Sequence, residues 1–114
     1  MLRNFEEQTS KLTDQELNIA DIVRKSLKKY KGKSHSIAGS KICSGFNNNT
    51  EFRLTGVRLR KIINYLRNEG EAICSTSKGY FYPENIQEIK DTCISLQQRI
   101  DSQTEIINQL KKHI

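Results

Sequence analysis

The sequence predicts a mainly helical α+β fold, in which three helices and one short two-stranded ribbon precede a long C-terminal helix. Three patterns carry that expectation. Apolar residues recur at helical spacing up to residue 68, and two strand-like runs, 72–75 and 79–82, flank the segment Ser-Thr-Ser-Lys-Gly. From 86 to 114, apolar residues alternate at three- and four-residue intervals. A chain of 114 residues allows one domain with a modest core. The expected organisation is a flexible leader over 1–12, a globular domain over 13–83 and a C-terminal helix over 84–114.

The first ten residues are polar and weakly patterned, and no chemistry is assigned to them. Thr13 and Glu16 have capping-box spacing, in which each side chain satisfies the other residue's orphaned backbone N–H, so a helix should start at Asp14. Leu17, Ile19, Ala20, Ile22, Val23 and Leu27 form its buried stripe, and Gly32 should end it near Lys31. Six basic residues and no acid lie between Arg24 and Lys33, matched to the negative end of the helix dipole or offering a secondary phosphate contact. The segment HSIAGSKICSGF, residues 35–46, fits a short strand at Ile37 and a short helix around Ser40 to Ser44. Asn47, Asn48, Asn49 and Thr50 then read as a polar loop before Phe52 and Leu54 return to the core.

Thr55 caps a helix that begins at Gly56 and stops at Gly70. Leu59, Ile62, Ile63 and Leu66 share one face and point inward. Rotation by about 100° per residue places Val57, Lys61, Asn64 and Asn68 opposite, with Arg58 and Arg60 on the flanks. That outward face is cationic and amide-bearing, which suits the major groove: Arg and Lys reach guanine O6 and N7 or phosphates, and Asn pairs bidentately with adenine. Gly56 lets backbone N–H groups approach a phosphate closely. In the ribbon, Ile73 and one aromatic of Tyr80, Phe81 and Tyr82 should face the core, leaving Ser77 and Lys78 at the tip to grip DNA backbone.

The helix V-R-L-R-K-I-I-N-Y-L-R-N-E-G, the ribbon I-C-S-T-S-K-G-Y-F and the following helix ending in S-L-Q-Q-R-I resemble winged helix-turn-helix proteins encoded by phages and related mobile elements, many linked to replication or regulation. The likeness covers roughly residues 39–100 and is strongest over the wing and the helix after it. It implies a DNA-binding module with the wing and the second helix as contact elements. The placement of residues on those elements makes Ser40, Lys41, Thr55, Gly56, Arg58, Arg60, Lys61, Asn64, Ser77 and Lys78 the expected contacts with double-stranded DNA. The net charge of +6 and sequence pI of about 9.3 agree with a polyanionic partner.

Asn85 and Glu88 repeat the capping-box logic and start a helix that runs almost to Ile114. Ile86, Ile89, Cys93, Leu96, Ile100, Gln103, Ile107, Leu110 and Ile114 form a coiled-coil seam broken by Gln103. About 29 residues span about 43 Å, so the distal half should overhang the domain; the competing reading is a helix packed on its own domain, its first two turns against the first helix. A homodimer through this helix is expected, placing two recognition helices in adjacent major grooves. The alternative is an adaptor whose helix recruits a replication or regulatory protein, with little or no DNA binding.

Other classes are argued against. No nucleophile with a base, paired carboxylate or Gly-rich phosphate cradle points to an enzyme. Cys43, Cys74 and Cys93 lack C-x-x-C or His ligand spacing, so each is expected to be a small reduced core residue, with no metal or other cofactor. No apolar run approaches the roughly 18 residues of a membrane span, and Met1 to Ser10 lacks the apolar centre of a secretory signal, so a soluble, cytoplasmic protein without membrane contact is expected.

Overall fold

A computed structural model describes residues 11–114, so the expected leader lies almost wholly outside the described residues. The architecture is mainly helical: α1 (Asp14–Leu27), α2 (Gly39–Asn49), α3 (Gly56–Asn68), an antiparallel hairpin of β1 (Cys74–Thr76) and β2 (Gly79–Phe81), and the long α4 (Ile86–Lys111). Helix α1 opens on the expected capping box: Glu16 N donates to Thr13 Oγ1 at 3.2 Å, and Thr13 N donates to Glu16 Oε1 at 3.0 Å. It ends at Leu27 instead of near Lys31, because the next residues join the hairpin. Tyr82 N donates to Tyr30 O at 2.8 Å and Gly32 N donates to Tyr82 O at 2.7 Å. The buried stripe of α1 is also narrower than expected, since Leu17 and Ile22 are exposed while Ile19, Ala20, Val23 and Leu27 are buried.

Ile37 forms no strand of its own but makes one bridge with Tyr80, with both N–H···O bonds at 2.9 Å. Gly79 makes this approach feasible: its φ is +145°, and a Cβ there would sit 2.0 Å from the Ile37 carbonyl oxygen. Helix α2 extends well beyond Ser40–Ser44, absorbing the expected Asn loop. The polar side chains explain the extension. Asn49 Nδ2 donates to Gly45 O at 2.7 Å and Thr50 Oγ1 to Phe46 O at 3.1 Å, while Asn47 clips the returning chain by accepting from Leu54 N at 2.7 Å.

Helix α3 follows its sequence signals closely. Thr55 Oγ1 accepts from Arg58 N at 3.2 Å, and beyond the last turn Gly70 takes a φ of +101° while Glu71 N donates to Leu66 O at 3.0 Å. Leu59, Ile62, Ile63 and Leu66 pack against α1 in the core with Leu54 and Ile73. Each such side chain contributes about 1.5–3 kcal/mol by leaving water. In the hairpin, Cys74 pairs with Phe81, Ser75 with Tyr80 and Thr76 with Gly79. Ile73 and Phe81 face inward, leaving Tyr80 and Tyr82 half-buried, as alternation predicts.

Asn85 caps α4 by accepting from Glu88 N at 3.0 Å, but the reciprocal half of the box differs. The Glu88 carboxylate accepts from Glu84 N and from Lys33 N, both at 2.8 Å, tying the helix start to the turn after α1. The first turns of α4 dock on β1 and not on α1: Ser75 N donates to the buried Thr92 Oγ1 at 3.3 Å. The distal half stands clear, with Ile100, Ile106, Ile107 and Leu110 exposed. Among the described residues, no helix is long and apolar enough to cross a membrane.

Candidate nucleic-acid interface

One open groove of about 550 Å³ gathers much of the expected contact set. Helix α3 supplies Arg60, Asn64 and Arg67 to its wall. The hairpin supplies Ser75 to Tyr80, including the tip residues Ser77 and Lys78, and α4 supplies Leu96 and Arg99. Helix α2 meets the groove at its N-terminus through Ala38, Gly39 and Ser40; Ala38 makes no side-chain cap, so the first backbone N–H groups lack that partner. Four cations and several hydroxyls therefore line one concavity, and no carboxylate does so among the described residues.

The local order of the groove comes from the hairpin. Arg67 is fixed against it, donating through Nε to Ile73 O at 2.8 Å and through Nη2 to Ser75 Oγ at 3.2 Å. Lys78 N donates to Thr76 Oγ1 at 3.2 Å, which closes the tip and leaves the lysine side chain exposed. Burial pushes the Tyr80 phenol above its ordinary value, while Arg67, Arg60 and Arg99 act in the opposite direction. Burial depresses the Arg67 guanidinium, and the Arg99 charge adds to that effect. Arg60, Arg67 and Arg99 thus gather around the half-buried Tyr80 ring.

Ser40, Arg60, Asn64, Ser77 and Lys78 come together here; the other expected contact residues do not. Thr55 is used as the cap of α3, and Gly56 begins the helix outside the groove lining. Arg58 donates to Arg53 O at 3.1 Å and lies 5.2 Å from the centre of the Phe52 ring, which commits it to the preceding loop. Lys41 lies instead at an apolar cleft between α1 and α2, beside Ile22 and Phe46.

Lys61 requires a correction, because its expected outward position is covered by α1. It is 6% exposed, and its Nζ donates to Glu16 Oε1 at 2.9 Å. Burial alone would raise the Glu16 carboxyl, but the Thr13 backbone N–H and the Lys61 ammonium outweigh it and hold the group below its ordinary value. Lys61 is consequently a structural cation joining α1 to α3.

Arg67 and Arg99 are the groove cations that the sequence reading did not select. Arg67 lies seven residues after Arg60, nearly the same direction on the helix, so its place was available from periodicity. Arg99 gave no local signal, since only the docking of α4 on β1 brings it to the groove.

Apart from Leu96, which reaches the groove, the seam residues of α4 lie on a neighbouring surface. Glu88 and Thr92 face the domain, and the seam is rotated from them by roughly 70°. Ile86, Ile89, Cys93, Ile100, Ile107 and Leu110 are accordingly exposed, with Leu96 half-buried and Gln103 exposed. Cys74 is buried and Cys43 half-buried, but Cys93 is not the core residue expected of it. Comparison of the chain with family models, curated proteins and solved structures finds no match.

Proposed function

We propose that the chain is a winged-helix protein that binds double-stranded DNA as a homodimer, serving regulation or replication of a phage or other mobile element. In this reading α2 and α3 form the helix-turn-helix and the β1–β2 hairpin is the wing. The carboxylate-free groove joining α3 to the hairpin tip is the observation that carries it. Asn64 reads a base edge while Arg60 and Lys78 hold phosphates, with Ser40 and Ser77 adding hydroxyl contacts. Lys61 has no part in this contact set because Glu16 already holds its ammonium.

The exposed seam of α4 supports pairing of two copies as a coiled coil, since its direction away from the docked face leaves it open along the helix. Two linked readers would address half-sites spaced by about one helical turn, near 10 bp or a multiple. Affinity for duplex DNA, measured by fluorescence anisotropy across a salt series, tests the reading. Binding should weaken linearly in log–log form as salt rises. Absence of binding at low salt would reject DNA recognition and leave the exposed seam to a protein-recruiting adaptor.

A further inference from the structure

Helix α4, to which the seam alone gives a pairing role, also forms one wall of the cationic groove. Thr92 anchors it by accepting the Ser75 N–H, and Arg99 follows seven residues later, on nearly the same side of the helix. Arg99 therefore comes over the hairpin, near Tyr80 and Arg67. It is exposed and has no acidic partner among the described residues. Three of the four acids of its own helix are engaged elsewhere, and the fourth, Glu105, lies six residues on and about 240° around the helix. Glu88 accepts two backbone N–H groups, Asp91 accepts from Gln87, and Asp101 accepts from Gln97. Asp101 also lies about 200° around the helix from Arg99, so it cannot balance the groove's charge at short range.

We infer that Arg99 is a phosphate-binding residue of the DNA interface, so that α4 contributes directly to the nucleic-acid site as well as to pairing. This rests on the DNA-binding reading of the groove. Arg67 is held by Ile73 O and Ser75 Oγ, whereas Arg99 has no such hydrogen bond among the described residues and can turn its guanidinium to a phosphate oxygen. With Arg60 on the α3 wall and Lys78 at the hairpin tip, Arg99 gives the groove a third exposed cation on a third element. A DNA strand would thus be held from three directions. The seam and this contact share one rigid helix, so pairing two copies also sets the separation of their Arg99 side chains.

The test uses the full chain with Arg99→Ala, Arg99→Lys, Arg60→Ala and Lys78→Ala, each titrated with the same duplex at several salt concentrations. In the homodimer, loss of one phosphate contact from each protomer lowers the log–log salt slope by about 1.8 and weakens binding about 60-fold at 0.1 M salt, or about 0.9 and eightfold per protomer. Arg99→Ala should lose this much per protomer, Arg99→Lys should recover most of it, and melting temperature and sedimentation mass should stay unchanged. If Arg60→Ala and Lys78→Ala weaken binding while Arg99→Ala has no effect, the α4 contact is refuted and the DNA reading stands. If the parent chain binds no duplex, both fall. A monomeric Arg99→Ala chain would assign the residue to pairing and also overturn the inference.

Discussion

Replacing Lys61 by Ala should damage the fold while leaving the phosphate contacts of the proposed DNA interface in place. Lys61 and Glu16 are both almost completely buried and meet at 2.9 Å, so the substitution leaves a desolvated carboxylate without its cation. Breaking such a pair from one side costs about 3–5 kcal/mol. The Thr13 N–H still bonds Glu16 in the variant, which puts the expected loss near the lower figure, about 3 kcal/mol. For a domain of this size that corresponds to a fall in melting temperature of more than about 10 °C. Lys61→Ala combined with Glu16→Leu should regain much of the loss, because the orphaned charge is gone.

The pH dependence follows the same contact. Glu16 has a folded-state pKa below its unfolded value, so its stabilisation is present above the unfolded pKa and is lost as pH falls through the folded one. The difference between parent and Lys61→Ala should therefore shrink towards acid. Thermal melts by circular dichroism across pH provide the assay, and duplex titrations of the folded variant provide the salt slope. A melting temperature unchanged from the parent, together with a slope smaller by about 0.9 per protomer, would show that Lys61 is a phosphate contact and would refute the structural assignment.

Gly79→Ala should destabilise the chain by several kcal/mol, since the new methyl collides with the Ile37 backbone at a φ that L-residues rarely adopt; denaturant unfolding measures it. Asn64→Ala should reduce discrimination between a preferred duplex and a scrambled one by about 1–3 kcal/mol, while its salt slope stays constant; competition titrations separate the two. Cutting the chain after Ile100 removes the distal seam and should convert a dimer to a monomer in sedimentation, with circular dichroism retaining the signal of the other helices.

Much of the fold is legible wherever a local signal coincides with a local cause. The Thr13–Glu16 box, the Thr55 cap, the inward face of α3 and the Gly70 stop all depend on residues a few positions apart. The hairpin is legible for the same reason. Errors arise where a distant partner decides. Tyr30 and Gly32 leave the helical path because Tyr82 bonds them, and α4 turns to β1 because Thr92 accepts the Ser75 N–H. Helix α2 outruns its expected end because asparagine and threonine side chains, ordinarily read as loop formers, bond backbone carbonyls in its last turn.

The candidate site divides along the same line. Arg60, Asn64, Ser77 and Lys78 are found by periodicity and turn position, which fix where each stands on its own element. Lys61 misleads because an amphipathic wheel assumes one covered face, whereas α1 wraps far enough around α3 to enclose a second. Arg99 is invisible to local patterns because its role depends on the path of a helix packed against the hairpin.

The salt dependence of duplex binding by the full-length chain tests the central claim most directly. Arg60, Lys78 and Arg99 as phosphate contacts in each of two protomers predict a log–log slope of about −5, from six contacts at about 0.9 each. A slope near zero, or no binding at low salt, would contradict the account.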